Sequence, residues 1–121
     1  MNSALRAFDT DGTVLFTKSL HALFGEPPGE LFDPVCRYDS VNSRWIIVAA
    51  YYSFGFTESI VSAGVYLLIS DSADIKSTFK YVFVEMRDNC YNGQCFADFP
   101  TVGQDKYAVW YASFPLLFFF L

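Results

Sequence analysis

Ten residues near the middle of the chain, R-W-I-I-V-A-A-Y-Y-S over 44–53, constrain the fold more than any other stretch. Most are aliphatic or aromatic and several are β-branched, which favours a strand. The run does not alternate. A strand with one face in water shows a two-residue period, whereas a strand covered on both faces reads as a continuous apolar segment. A fold for this chain must therefore place material on both sides of residues 44–53.

The flanking sequence supplies neighbours for that strand. F-D-P-V-C-R-Y-D precedes it, with a turn at Ser40-Val41-Asn42-Ser43, and V-Y-L-L-I-S and T-F-K-Y-V-F-V-E-M follow it. These runs predict four antiparallel strands over 33–38, 44–53, 63–70 and 78–86, with 54–62 as the loop between the second and third. Lys80 and Glu85 interrupt the fourth run, as suits an outermost strand whose edge must not pair with other chains.

Upstream, residues 5–8 and 13–17 read as a hairpin closed by Asp9-Thr10-Asp11-Gly12. That string invites a calcium-loop reading, but Ala7 and Lys18 stand where further ligands are required, so a plain turn is expected. Residues 19–24 suggest one helical turn carrying His21, the chain's single histidine, which has no partner pattern for a metal. Gly25-Glu26-Pro27-Pro28-Gly29 is a loop, because its prolines and glycines stop a regular ladder.

Downstream the pattern restarts. F-A-D-F-P-T-V-G-Q-D-K-Y-A-V-W-Y-A-S-F predicts strands over 97–102 and 107–114 with a turn between them. Asp33 and Asp98 lie 65 positions apart, Asp39 and Asp105 lie 66 apart, and Pro34 and Pro100 stand near the strand starts. An internal repeat of that length matches one propeller blade with generous loops. The expected fold class is therefore all-β, built of antiparallel β-propeller blades. Residues 32–87 form a full four-stranded blade, 5–17 a hairpin of a preceding blade, and 96–114 the start of the next. Together they make about one and a half to two blades of an incomplete ring, a partial propeller domain over 1–121. Residues 115–121 form an apolar tail in which strand character gives way without turn signals. That is expected of a chain interrupted within a blade, so self-association or remaining blades would be needed to cover the exposed faces.

Several function classes are disfavoured. The net charge of −5 comes without a cluster of Lys and Arg, against nucleic-acid binding. The N-terminal M-N-S-A-L-R-A-F-D lacks a signal-peptide apolar core, and the C-terminal apolar run is far short of a membrane span. Of three cysteines, Cys36 is expected to be a buried thiol, while Cys90 and Cys95 flank a turn and are either disulfide-bonded or free. No cofactor or metal is expected. There is no Gly-rich phosphate loop and no nucleophile–His–acid pattern.

Ser72-Ala73-Asp74-Ile75-Lys76-Ser77-Thr78-Phe79 resembles the Asp-box of sialidase-type propellers, S-x-D-x-G-x-T-W. Ser72, Asp74 and Thr78 agree, Phe79 replaces the tryptophan, and Lys76 stands in place of glycine. The resemblance implies a structural turn between the third and fourth strands of a blade. More broadly, D-P-x-x-x-Y-D…R-W, S-D-S-A-D…T-F and F-A-D-F-P-T-V-G-x-D-K together resemble a group of large, mostly secreted, uncharacterised bacterial-type propeller proteins, over about residues 5–114. That resemblance implies a fold and an extracellular setting, but no activity.

Candidate chemistry is sparse. Five-bladed glycoside hydrolases draw carboxylates from first strands, one with an Asp-Pro start, so the likeness of Asp33-Pro34 makes Asp33 and Asp98 catalytic candidates; the alternative is strand capping. Arg37 and Arg44 do not complete the arginine triad of a sialidase site. Tyr51, Tyr52, Phe54 and Phe56 form a candidate aromatic platform for carbohydrate, with core packing as the alternative. The expected function is a non-catalytic binding or scaffold module for carbohydrate or protein. The alternative is part of a propeller-type glycoside hydrolase.

Overall fold

A computed structural model describes residues 4–56, 59–87 and 95–117. It is mostly antiparallel β-sheet, all-β in class. The strands are β1 (Ala4–Phe8), β2 (Val14–Ser19), β3 (Glu30–Asp39), β4 (Arg44–Phe54), β5 (Ile60–Ser70), β6 (Phe79–Glu85), β7 (Cys95–Gln104) and β8 (Val109–Leu117), with one short helix, α1 (Leu20–Leu23). The central sheet runs in the order β3-β4-β5-β6, each strand antiparallel to the next. Hairpins β1-β2 and β7-β8 form separate two-stranded sheets.

The apolar run 44–53 becomes β4, and Ile46 to Tyr51 are all buried. Alternate residues point to opposite faces of a strand. On one face Ile47, Ala49 and Tyr51 join Leu31 and Leu68 beneath Leu20, Leu23 and Phe24 of the helical turn. Leu5 of β1 packs against that cluster. On the other face Ile46, Val48 and Val65 pack against Val102 of β7, with Val109 and Tyr111 of β8 alongside. Coverage of both faces explains why the run lacks alternation.

Ser19 caps α1, its hydroxyl accepting the Ala22 amide at 3.0 Å. His21 Nε2 donates to the Gly29 carbonyl at 2.9 Å and ties this turn to the start of β3. Gly29 has a steric reason: a Cβ there would lie 2.2 Å from the Tyr52 carbonyl oxygen and 2.7 Å from the Tyr51 ring.

The elements depart from expectation in three ways. First, β4 runs through Phe54 and β5 begins at Ile60, so both ends of the predicted loop over 54–62 are strand. Second, β8 continues through Pro115 to Leu117, past the predicted end of strand character at Phe114. Third, Cys36 is an exposed free thiol. It sits on β3, at the edge of the sheet, opposite Ile47. The helical turn covers Ile47 but leaves Cys36 open. Of the predicted pair Cys90 and Cys95, Cys90 lies outside the described residues. No helix among the described residues is long and apolar enough to cross a membrane.

Candidate functional site

Two prolines set the geometry of a place where carboxyl groups meet. Proline has no N–H to give a ladder, so within a sheet it is tolerated at edges and bulges. β3 loses its register on β4 between Phe32 and Val35, around Asp33-Pro34. β7 loses its register on β8 between Asp98 and Thr101, around Phe99-Pro100. Asp33 takes up the irregularity with φ 48°, a left-handed conformation that aspartate tolerates better than most residues.

The same 66-residue interval separates Phe32 from Asp98, Val35 from Thr101 and Asp39 from Asp105. Asp33 and Asp98 are therefore not equivalent positions of the repeat. Asp98 matches Phe32 and Asp33 matches Phe99. Yet the bulges bring the two aspartates together, side chain within hydrogen-bonding reach of side chain. Asp98 is 9% exposed and Asp33 half-buried. Burial, then the Asp98 charge, then the hydrogen bond between them raise the Asp33 carboxyl above its ordinary value. Each cause favours the protonated form of Asp33.

Asp39, Asp105 and Glu85 shift the opposite way. Asp39 accepts the Val41 and Asn42 amides at 3.0 and 3.2 Å and the Asn42 side chain at 2.8 Å. The Asn42 side-chain bond leads in holding Asp39 below the usual carboxylate range. Asp105 repeats the device, accepting the Tyr107 and Ala108 amides at 2.7 and 2.8 Å and the Trp110 indole at 3.1 Å. Those bonds lower its pKa. Burial alone would raise Glu85, but donation from the Ser62 hydroxyl, the Ala63 amide and the Arg87 amide outweighs it, and the carboxyl is held low. Sequence reasoning read Glu85, with Lys80, only as an interruption suited to an edge strand, and not as an acceptor tying β6 to the start of β5.

Ser72, Asp74, Thr78 and Phe79 all act on the β5-β6 turn. The Asp74 amide donates to Ser72 Oγ at 3.2 Å, and Asp74 Oδ1 accepts the Lys76 amide at 2.9 Å. The Thr78 hydroxyl donates to Asp71, and the Asp71 amide closes the turn onto the Thr78 carbonyl at 2.9 Å. Phe79 packs against the core. Lys76 has no positive φ, so this turn does not require glycine there. Three further residues complete the anchorage. The Trp45 amide donates to buried Ser70 Oγ at 2.7 Å, Ser70 donates to the Ser72 carbonyl at 2.6 Å, and the Trp45 indole donates to the Ala73 carbonyl at 2.8 Å. The turn is thereby fastened to β4.

The four aromatic candidates do not make one platform. Tyr51 is buried and meets Tyr66 and Phe83 edge-on, with centroids 5.2 and 5.4 Å apart. Tyr52 faces the other side, against Phe32 at 5.4 Å and Phe54 at 5.0 Å. Phe54 is exposed and Phe56 fully so. Arg37 and Arg44 are both exposed on the sheet face opposite Ile47. Among the described residues no group of three or more His, Cys, Asp or Glu is placed to hold a metal ion.

Comparison with protein-family models, with curated proteins and with solved structures found no match to this chain.

Proposed function

We propose that the chain is part of a β-propeller and serves as a non-catalytic binding or scaffold module, in an extracellular setting, for a carbohydrate or protein ligand. The observation that carries the reading is the layering. A four-stranded meander has hairpin β7-β8 on one face and, on the other, α1 with Leu5 of β1, and a proline bulge and an aspartate-capped turn recur at a 66-residue interval. Propeller blades stack in this manner, each face against a neighbour. The Asp-box reading of residues 72–79 fits the same scheme, with its polar side chains spent on the turn.

The glycoside-hydrolase reading has one observation in its favour, the raised pKa of Asp33 beside Asp98. The spacing speaks against these two as the reacting pair. Retaining enzymes hold their carboxyl groups about 5–5.5 Å apart and inverting ones about 6.5–9.5 Å apart, leaving room for sugar or water. Groups within hydrogen-bonding reach of each other leave none. The test is a glycan-array and aryl-glycoside assay on the same protein. Binding without turnover is expected. Turnover that disappears in Asp33→Asn would refute the non-catalytic reading.

A further inference from the structure

Asp33-Pro34 is the one Asp-Pro bond in the chain, and the fold treats it unusually. An aspartyl carboxylate lies close to its own main-chain carbonyl carbon. It can attack that carbon as an intramolecular nucleophile and form a cyclic anhydride. The amine must leave at the same time. Proline suits that role, because its tertiary amide nitrogen takes a proton more readily than an ordinary peptide nitrogen. In an unfolded chain the step is slow, since no second group is held in place to move the proton.

The structure supplies such a group. The pairing of β3 with β4 joins Phe32 to Ala50 and Val35 to Val48, and passes over Asp33 and Pro34. The bond therefore stands outside the regular ladder. Asp33 is held at φ 48°, a sparsely populated conformation for a residue with a side chain, and cleavage would release it. Both residues are half-buried, so water can reach the bond. β7 brings Asp98, 9% exposed, within hydrogen-bonding reach of the Asp33 carboxyl. Opposite the bulge, β4 carries Val48, Ala49 and Ala50, none of which titrates. Asp98 is thus the charged group that acts on Asp33.

We infer that the folded chain promotes hydrolysis of its own Asp33-Pro34 bond, with Asp33 as the nucleophile and Asp98 as the acid–base group. The Asp33 carboxyl gives its proton to the Asp98 carboxylate, and the freed oxygen bonds to the Asp33 carbonyl carbon. The bond from that carbon to the Pro34 nitrogen breaks, and its electron pair stays on nitrogen. The proton held by Asp98 passes to that nitrogen, leaving Pro34 as a secondary amine. Water then opens the anhydride, so the one co-reactant is water and no oxidant or reductant is needed. Raising the Asp33 pKa keeps more of the initial proton on this carboxyl in mild acid than an unfolded chain retains. Leu20, Leu23, Phe24 and Leu31, on the N-terminal side of the cut, pack on Ile47, Ala49, Tyr51 and Leu68. The pieces are therefore held together by the core, and the cut is read only after denaturation. The inference goes beyond the binding reading and does not depend on it.

The test is intact-mass spectrometry, after denaturation, on the 121-residue chain incubated at about pH 5, folded in buffer and unfolded in urea. The folded chain should release residues 1–33 and 34–121 about tenfold faster than the unfolded chain, a modest share of the roughly 10²–10⁴-fold that a positioned acid–base group gives. A contaminating protease would do the reverse and cut the unfolded chain faster, at many bonds. Asp98→Asn keeps the side-chain shape but cannot take the proton. With its strands verified by circular dichroism, it should cleave at the unfolded rate, and Asp33→Asn should release neither piece. A second readout needs no variant. The cleavage rate rises as pH falls through the Asp33 pKa, so the folded chain should reach half its maximal rate at a higher pH than the chain in urea. A folded chain that cleaves no faster than the unfolded one overturns the inference. So does a folded Asp98→Asn chain with the wild-type rate, or a half-rate pH that is the same in buffer and in urea.

Discussion

Replacing Asp33 with asparagine should make the folded chain more stable at neutral pH. β3 and β7 hold two carboxyl groups within hydrogen-bonding reach, and the unfolded chain does not. The Asp33 pKa is raised on folding, so its favourable contribution is complete below the unfolded value and is lost as pH rises through the folded one. Once ionised, Asp33 places its charge against that of Asp98. Unit charges about 4 Å apart repel by about 1 kcal/mol in a water-like medium and about 4 kcal/mol at an effective dielectric of 20. Asp33 is only half-buried, so the screened end applies and the expected gain is about 1 kcal/mol. Asparagine keeps the side-chain shape, can donate to Asp98, and accepts the left-handed backbone that Asp33 adopts at φ 48°. Urea unfolding of both proteins, at one protein concentration, should show this advantage near neutral pH. It should shrink toward about pH 3, where carboxyl groups are largely protonated. An advantage of constant size at both pH values, or a variant less stable at neutral pH, would refute the reasoning.

Other substitutions test the packing and the turns. Leu68→Ala empties a fully buried position between β4 and β6 and should cost about 2–5 kcal/mol in the same urea assay. Gly64→Ala places a Cβ 2.0 Å from the Val84 carbonyl oxygen and 3.0 Å from the Phe83 ring, so a loss of about 1–3 kcal/mol or more is expected on thermal melting. Trp45→Phe removes the indole bond to the Ala73 carbonyl and should cost about 0.5–1.5 kcal/mol, with faster amide exchange in the β5-β6 turn as a local readout. Asp105→Asn should weaken the folded state at neutral pH and matter less in acid. Its pKa is lowered on folding, so its contribution is present above the unfolded value and is lost as pH falls through the folded one.

The strands were legible because each apolar run ends at residues that favour turns. Ser40 to Ser43 and Asp71 to Thr78 sit where the chain reverses, and β4, aliphatic or aromatic from Trp45 to Tyr52, lies inside the sheet. The fourth run, with Lys80 and Glu85, became the edge strand β6. The start of β5 was misread because Ile60-Val61, though β-branched, is only a two-residue apolar pair between Ser59 and Ser62; pairing of Ser53 with Ser62 and Phe54 with Ile60 extends the ladder. Cys36 was misread because chemistry alone does not say how far α1 reaches across the sheet. The aromatic grouping ignored alternation: neighbours such as Tyr51 and Tyr52 on one strand must face opposite sides.

The Asp33–Asp98 meeting was the least legible feature. The 65-residue spacing in sequence suggested equivalent positions, while the paired bulges repeat at 66. The difference lies in a backbone angle at Asp33 that residue identity permits but does not announce. The contact between β3 and β7 depends in turn on how the second sheet packs, which no local pattern encodes.

The central claim is that β4 is the strand around which the chain is built, covered on both faces while β6 is not. Native-state hydrogen exchange, read amide by amide on the full chain, tests it most directly. The slowest amides should fall in β4 and in β5 where it pairs with β4, opening only on global unfolding, while β6 exchanges faster through local fraying. Amides of β4 that exchange as fast as those of β6 would contradict the account.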